Sequence, residues 1–177
     1  MPNSRAGKRD RVLFSESQIA LRVREVAGDI ANGQVRPEIA MPILVGAFVF
    51  AADLLRELAR RGLVLETEFI WLRSYRNANT PGELEVLKRP DESVRGRNVL
   101  LIDGVLDRGA TLDRARALLH EAGAAHIISA VAVTKSTPQP VFVADFTLFR
   151  AGSDFLYGYG MDRAGQDRGL PDIRIPV

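Results

Sequence analysis

Apolar residues recur at Ile19, Val23, Val26 and Ile30, every three or four positions, so Ser15–Asn32 carries one apolar face and predicts a helix. Ser15 stands where its hydroxyl can cap the first turn, and Gly33 ends the run. The next runs are shorter. Ile43–Val45 reads as a buried strand stopped by Gly46, Phe48–Arg61 as a helix closed by Gly62, and Thr67–Arg73, rich in β-favouring residues, as a strand. Asn77–Glu83 gathers Asn, Thr, Pro and Gly and predicts a loop or hairpin tip, with Leu84–Leu87 returning as the partner strand. Asn98–Ile102 is apolar without alternation, the pattern of a strand covered on both faces. Thr111–Ala122 places Leu112, Ala115, Leu118 and Leu119 on one helical face and stops at Gly123; His126–Val133 and Phe142–Phe149 read as strands. Strands alternating with helices predict a single α/β domain with a mostly parallel sheet flanked by helices.

Composition narrows the picture. A chain of 177 residues, 46% hydrophobic and 26% charged, suits one domain with a full core, and no internal repeat or boundary interrupts it. With no cysteine, disulfides and thiolate metal sites are excluded. The 24 Lys and Arg residues nearly balance 22 Asp and Glu, and the small basic excess argues weakly for phosphate-bearing ligands and only very weakly for nucleic acid, which is not an expected partner. Arg5, Lys8, Arg9 and Arg11 make residues 1–11 a basic tail, expected to be solvated and flexible, ahead of a domain over 12–177. The segment Met1–Arg11 lacks the apolar centre of a signal peptide, and no apolar run is long enough to span a bilayer. A cytoplasmic protein without membrane contact is expected.

In parallel sheets ligands bind beyond the carboxyl ends of the strands, which directs attention to Val45-Gly46, to Asp103–Thr111 and to Lys135. Within Asp107-Arg108-Gly109-Ala110-Thr111, Gly109 permits a tight turn, Thr111 offers a hydroxyl, and a helix begins with its positive dipole end. These are the parts of a phosphate cradle. They are equally the parts of a plain strand-to-helix turn with Thr111 as the cap, and the local sequence leaves both open. The spacing matches no P-loop, and Gly158–Gly160 lacks the third glycine of a dinucleotide fingerprint. His120 and His126 fall on a helix and a strand start and read as structural.

The run VLLIDGVLDRGATL, from Val99 to Leu112, resembles the phosphoribosyl-pyrophosphate (PRPP) signature of type I phosphoribosyltransferases. LFSESQIALRVREVAGDI, GAFVFAADLLREL, Ser74-Tyr75, DFLYGYGMD and DRGLP follow in the order found in the hypoxanthine(-guanine) branch of that family. The resemblance implies the family's twisted parallel sheet with a small hood made by the terminal segments. It implies transfer of a 5-phosphoribosyl group from PRPP to hypoxanthine or guanine, giving IMP or GMP and pyrophosphate, with Mg²⁺ as cofactor and a homo-oligomer, dimer or tetramer, as the working form. By matching position, it makes Asp107 the general acid/base near N7 of the purine base, and Arg108, Gly109, Ala110 and Thr111 the holders of the 5-phosphate. Lys135 would read the 6-oxo group, Phe155 stack on the base and Leu156 meet its edge through the backbone. Asp162, with Asp103, would hold the metal, and Arg168 with Val45-Gly46 the pyrophosphate. Ser74 and Tyr75 would belong to a lid.

Four positions depart from the family pattern. Its strand ends in two adjacent acids that grip the ribose hydroxyls; here they are Asp103 and Gly104. Loss of the second removes two acceptors and a negative charge, so an acid restored at Gly104 is expected to tighten PRPP binding. Val45 stands where a basic residue precedes the glycine, and Arg108 where a small hydroxyl residue is common, either supplying the missing cation or blocking the pocket. Arg76–Thr80 replaces a Gly/Ser-rich run in the lid. A weakened relative that binds purine nucleotide as a sensor or assembly partner is the alternative these departures raise.

Overall fold

A computed structural model of the chain describes residues 10–74 and 84–177. Its centre is a seven-stranded sheet of β2 (Ile39–Leu44), β3 (Glu66–Thr67), β4 (Ile70–Ser74), β5 (Leu84–Lys88), β6 (Asn98–Leu106), β7 (His126–Lys135) and β8 (Phe146–Ala151). The spatial order is β5-β4-β2-β6-β7-β8, with β3 alongside β2, and every pairing is parallel except that of β5 with β4. Helices α1 (Glu16–Ala31) and α2 (Phe48–Arg60) cover one face, and α3 (Ala110–Glu121) covers the other. Alternation on β6 serves both layers: Leu100 and Ile102 join the core under α1 and α2, while Val99 and Leu101 join the core under α3. That double burial is why β6 shows no polar alternation.

The helix α1 forms as the pattern predicts. Ser15 accepts from the Gln18 N–H while the Gln18 side chain accepts from the Ser15 N–H, a reciprocal capping box, and Ile19, Val23, Val26 and Ile30 are all buried. A separate two-stranded antiparallel sheet pairs β1 (Arg11–Phe14) with β9 (Ile173–Ile175) and ties the terminal segments together as a hood. Residues 1–9 of the basic segment lie outside the described residues. Arg11 opens β1, and Asp10 pairs with Arg163 at 3.0 Å.

Several boundaries differ from the sequence expectation. β2 starts at Ile39 rather than Ile43, because Pro42 stays within the parallel ladder, opposite Ile102. The segment expected as one strand over Thr67–Arg73 is two, β3 and β4, divided at Glu68-Phe69. β6 runs on to Leu106, so Asp103 and Gly104 lie inside a strand rather than after it. The last parallel strand begins at Phe146, since the Asp145 carboxylate accepts from both the N–H and the hydroxyl of Ser129 and turns the chain there. Most of the lid, Tyr75 included, lies outside the described residues. No helix among the described residues is long and apolar enough to cross a membrane.

Candidate active site

At the carboxyl edge of the sheet a cleft of about 740 Å³ gathers residues from separate segments. Val45 and Gly46 follow β2, Trp71 and Arg73 come from β4, Asp103 and Val105 from β6, Thr111 from α3, and Phe155, Leu156, Met161, Asp162 and Arg168 from the hood. Two helices start on this cleft without a capping side chain: α2, just after Gly46, and α3, whose first turn contains Thr111. Their leading N–H groups therefore lack the partner that Ser15 supplies to α1, and each end carries a partial positive charge. The N-cap of α3 is Gly109, at φ 93°, so Thr111 is not the cap and its hydroxyl is directed to other use. The left-handed backbone at Gly109 also lets the loop press on Phe142, since a Cβ there would lie 2.6 Å from the Phe142 Cβ.

Asp103 is buried among apolar strands and its one hydrogen-bond partner among the described residues is the Gly104 N–H, at 2.7 Å. Burial pushes its carboxyl up to about 7, against the smaller opposing pull of that hydrogen bond. Asp162 and Arg168 are paired at 2.7 Å; Arg168 also donates to the Gly160 carbonyl at 2.6 Å, and Asp162 accepts from the Gly165 N–H at 2.7 Å. Phe155 is 53% exposed on the cleft wall, free on one face for a planar ligand. No group of three or more His, Cys, Asp or Glu side chains able to hold a metal occurs among the described residues. Asp103 and Asp162 nevertheless place two hard carboxylates on one cavity, a set that suits Mg²⁺ completed by water and substrate oxygens.

The expected purine-reading residues divide between two spaces. Phe155 and Leu156 line the cleft, whereas Asp107 and Lys135 line an adjoining pocket of about 450 Å³ with Thr137, Phe142 and Arg150. Lys135 donates to Asp107 at 3.1 Å, and the Thr137 hydroxyl donates to its other oxygen at 2.6 Å. The Thr137 hydrogen bond, aided by the Lys135 and Arg108 charges and opposed by desolvation, holds the Asp107 carboxyl below the usual range. Arg108 is exposed, away from the cleft lining, and does not block it; its carbonyl accepts from the Val141 N–H at 3.0 Å. Gly109 and Ala110 do not line the cleft either.

Gly104 is not an open vacancy. A Cβ there would lie 2.8 Å from the Gly46 carbonyl oxygen and 3.2 Å from its carbon, where ordinary contact begins at 3.4 Å. The expectation that an acid fits at this position is corrected accordingly: the Gly46 loop occupies the approach. A Cβ at Gly160 would lie 2.5 Å from the same oxygen, so the Gly46 carbonyl is seated between two positions without side chains. Sequence reasoning did not single out Trp71, Arg73, Val105, Met161 or Thr137. Trp71 and Arg73 were accessible to it, because they alternate with the buried Ile70 and Leu72 and so had to face away from that core. Thr137 carried no signal, since its contact with Asp107 is made between two loops.

The carboxyl edge of the mostly parallel sheet thus brings two helix starts without capping side chains and the buried Asp103 onto one cleft. The chain belongs to the phosphoribosyl transferase domain family, whose pattern matches residues 13–148. It is 33% identical over 171 residues to the hypoxanthine-guanine phosphoribosyltransferase of Aquifex aeolicus, covering 94% of each chain. It is 32% identical over 169 residues to that of Bacillus subtilis, covering 94% of this chain and 92% of the relative. Among solved structures it resembles the hypoxanthine phosphoribosyltransferase of Trypanosoma cruzi in complex with the product IMP, with TM-score 0.85, 28% identity and coverage of 99% and 98%.

Proposed function

We propose that this chain is a purine-salvage phosphoribosyltransferase that transfers the 5-phosphoribosyl group of PRPP to hypoxanthine or guanine. The observation that carries the reading is the pair of uncapped helix starts on one cleft, with the buried carboxylate of Asp103 on β6 beside them. PRPP has the matching shape: a phosphate at one end, a pyrophosphate at the other, and ribose hydroxyls in between. The α3 start with Thr111 suits the 5-phosphate, and the α2 start with Val45-Gly46 and Arg168 suits the pyrophosphate. Asp103 can accept from the ribose hydroxyls. Mg²⁺, held by Asp162 and Asp103 with substrate oxygens, would stabilise the charge of the departing pyrophosphate.

In the reaction, N9 of the base bonds to C1 of the ribose as the C1–oxygen bond to pyrophosphate breaks, and the proton on N7 passes to Asp107. An ionised Asp107 is ready to accept it, which its depressed pKa provides. Lys135 donates without accepting, so it favours a 6-oxo over a 6-amino group. Phe155 covers the base, and Ser74 and Tyr75 belong to the lid that keeps water from the cationic ribose. Phe48 and Phe69, exposed outside the cleft lining, support a homo-oligomer.

The test is to incubate the protein with PRPP, Mg²⁺ and a panel of bases while following nucleotide and pyrophosphate. IMP or GMP is expected and AMP is not. Nucleotide binding without turnover of any purine would replace this reading with that of a non-catalytic relative, which Gly104 and Val45 favour.

A further inference from the structure

The hood turn Gly158-Tyr159-Gly160-Met161 closes on itself through the Gly158 and Met161 N–H groups, each donating to the other's carbonyl at 3.0 Å. Three successive residues in it have positive φ: Gly158 at 89°, Tyr159 at 49° and Gly160 at 96°. The two glycines take this backbone freely; a tyrosine does not, since a left-handed conformation crowds the Cβ of an L-residue against the following carbonyl oxygen. Asn would be the usual side chain there. Tyr159 is nonetheless buried, 3% exposed, and its hydroxyl donates to Asp53 Oδ2 of α2 at 2.8 Å, while Arg56 pairs with the other carboxylate oxygen.

The same turn touches the cleft on two further sides. The Gly46 carbonyl packs into the Cβ-free space of Gly160, and the Gly160 carbonyl accepts from Arg168 while its N–H donates to the Arg168 carbonyl at 2.9 Å. Asp162 follows within two residues and pairs with Arg168.

We infer that the Tyr159–Asp53 hydrogen bond is a positioning latch: it fixes the hood turn to α2, and through Gly160 sets both the Gly46 loop and the Arg168–Asp162 pair at the pyrophosphate end of the cleft. Tyr159 and Asp53 are positioning residues that touch no substrate. The inference rests on the proposed assignment of that end to pyrophosphate. It predicts that the latch governs pyrophosphate and PRPP and leaves the 5-phosphate end, on α3, unaffected.

The chain has a single tryptophan, Trp71, on the cleft wall, so its fluorescence can report binding without turnover. Titrations with magnesium pyrophosphate and with IMP should separate the two ends. In Tyr159→Phe, the Kd for magnesium pyrophosphate is expected to rise about tenfold, with IMP within twofold. Asp53→Asn keeps an acceptor for the hydroxyl and should stay near wild type, whereas Asp53→Ala should match Tyr159→Phe, and the double variant should be no worse than either. An unchanged pyrophosphate Kd in Tyr159→Phe, or equal weakening of both ligands, overturns the latch. A wild-type chain that binds pyrophosphate but forms no nucleotide overturns the enzymatic reading alone, and the variants still decide the latch. A wild-type chain that does not bind pyrophosphate overturns both.

Discussion

Gly104 offers the sharpest quantitative test of the site. Substituting Asp adds an acid that would bond to the ribose hydroxyls, a charge-assisted contact worth about 1.5–3 kcal/mol. It also drives a Cβ to 2.8 Å from the Gly46 carbonyl oxygen, and the neighbours are backbone on both sides, a central strand and a loop seated on Gly160. Overpacking of this kind costs about 1–3 kcal/mol of stability and is relieved only by displacing the Gly46 loop at the proposed pyrophosphate end, so what the new acid gains at the ribose is offset by what the displaced loop loses. Gly104→Asp is therefore expected to bind PRPP no more tightly than wild type and to lose several degrees of Tm. Gly104→Ala carries the same collision with no new acceptor, so its KM for PRPP should rise about tenfold, the weaker of the pair. Steady-state kinetics at varied PRPP and thermal melts of the three proteins measure both quantities. A Gly104→Asp enzyme that binds PRPP more tightly at unchanged Tm would refute the reasoning, because the Gly46 loop would then not be a fixed neighbour.

Two more outcomes follow from the acids on β6 and after it. Asp107→Asn should lower turnover by about 10²–10⁴-fold while leaving PRPP affinity largely unchanged, and full activity would remove Asp107 from the chemistry. Asp103 titrates near 7 folded against 3.8 unfolded, so between those values the folded chain holds a proton that the unfolded chain has lost. Stability from this group is intact below pH 4 and falls as pH rises to 7, by up to about 4 kcal/mol for a shift of that size. Denaturant melts of wild type and Asp103→Asn across pH 4–8 should diverge in that direction, and parallel curves would contradict it.

The elements that bury one regular face were legible in the sequence. α1, α2 and α3 announced themselves by spacing, and β6 by an apolar run too dense for a half-exposed strand. What escaped was set by partners distant in the chain. Pro42 looks like a break, yet the parallel ladder with β6 carries the strand through it. An acid and a glycine look like the end of a strand, but β7 continues to pair with β6 as far as Leu106. The PRPP-like motif drew attention to a stretch that does lie at the carboxyl edge of the sheet, while the occupied space at Gly104 and the Thr137 contact to Asp107 came only from loops meeting in three dimensions.

The contact between Lys135 and Asp107 has a consequence for selectivity. In the unliganded site Asp107 is the carboxylate partner of Lys135, whose side chain is 12% exposed. A base that draws Asp107 away without offering an acceptor therefore leaves a largely buried ammonium unanswered, while Thr137 and solvent still meet the half-exposed Asp107. Entry is an exchange in which the ligand must offer an acceptor to the ammonium and a proton to the carboxylate together. A 6-oxopurine carries these on neighbouring atoms, O6 and N7–H; adenine has a donor in place of the first. If Lys135 and Asp107 read the base as proposed, the resting ion pair acts as a two-key lock, disfavouring single-key bases before any bond to ribose is made.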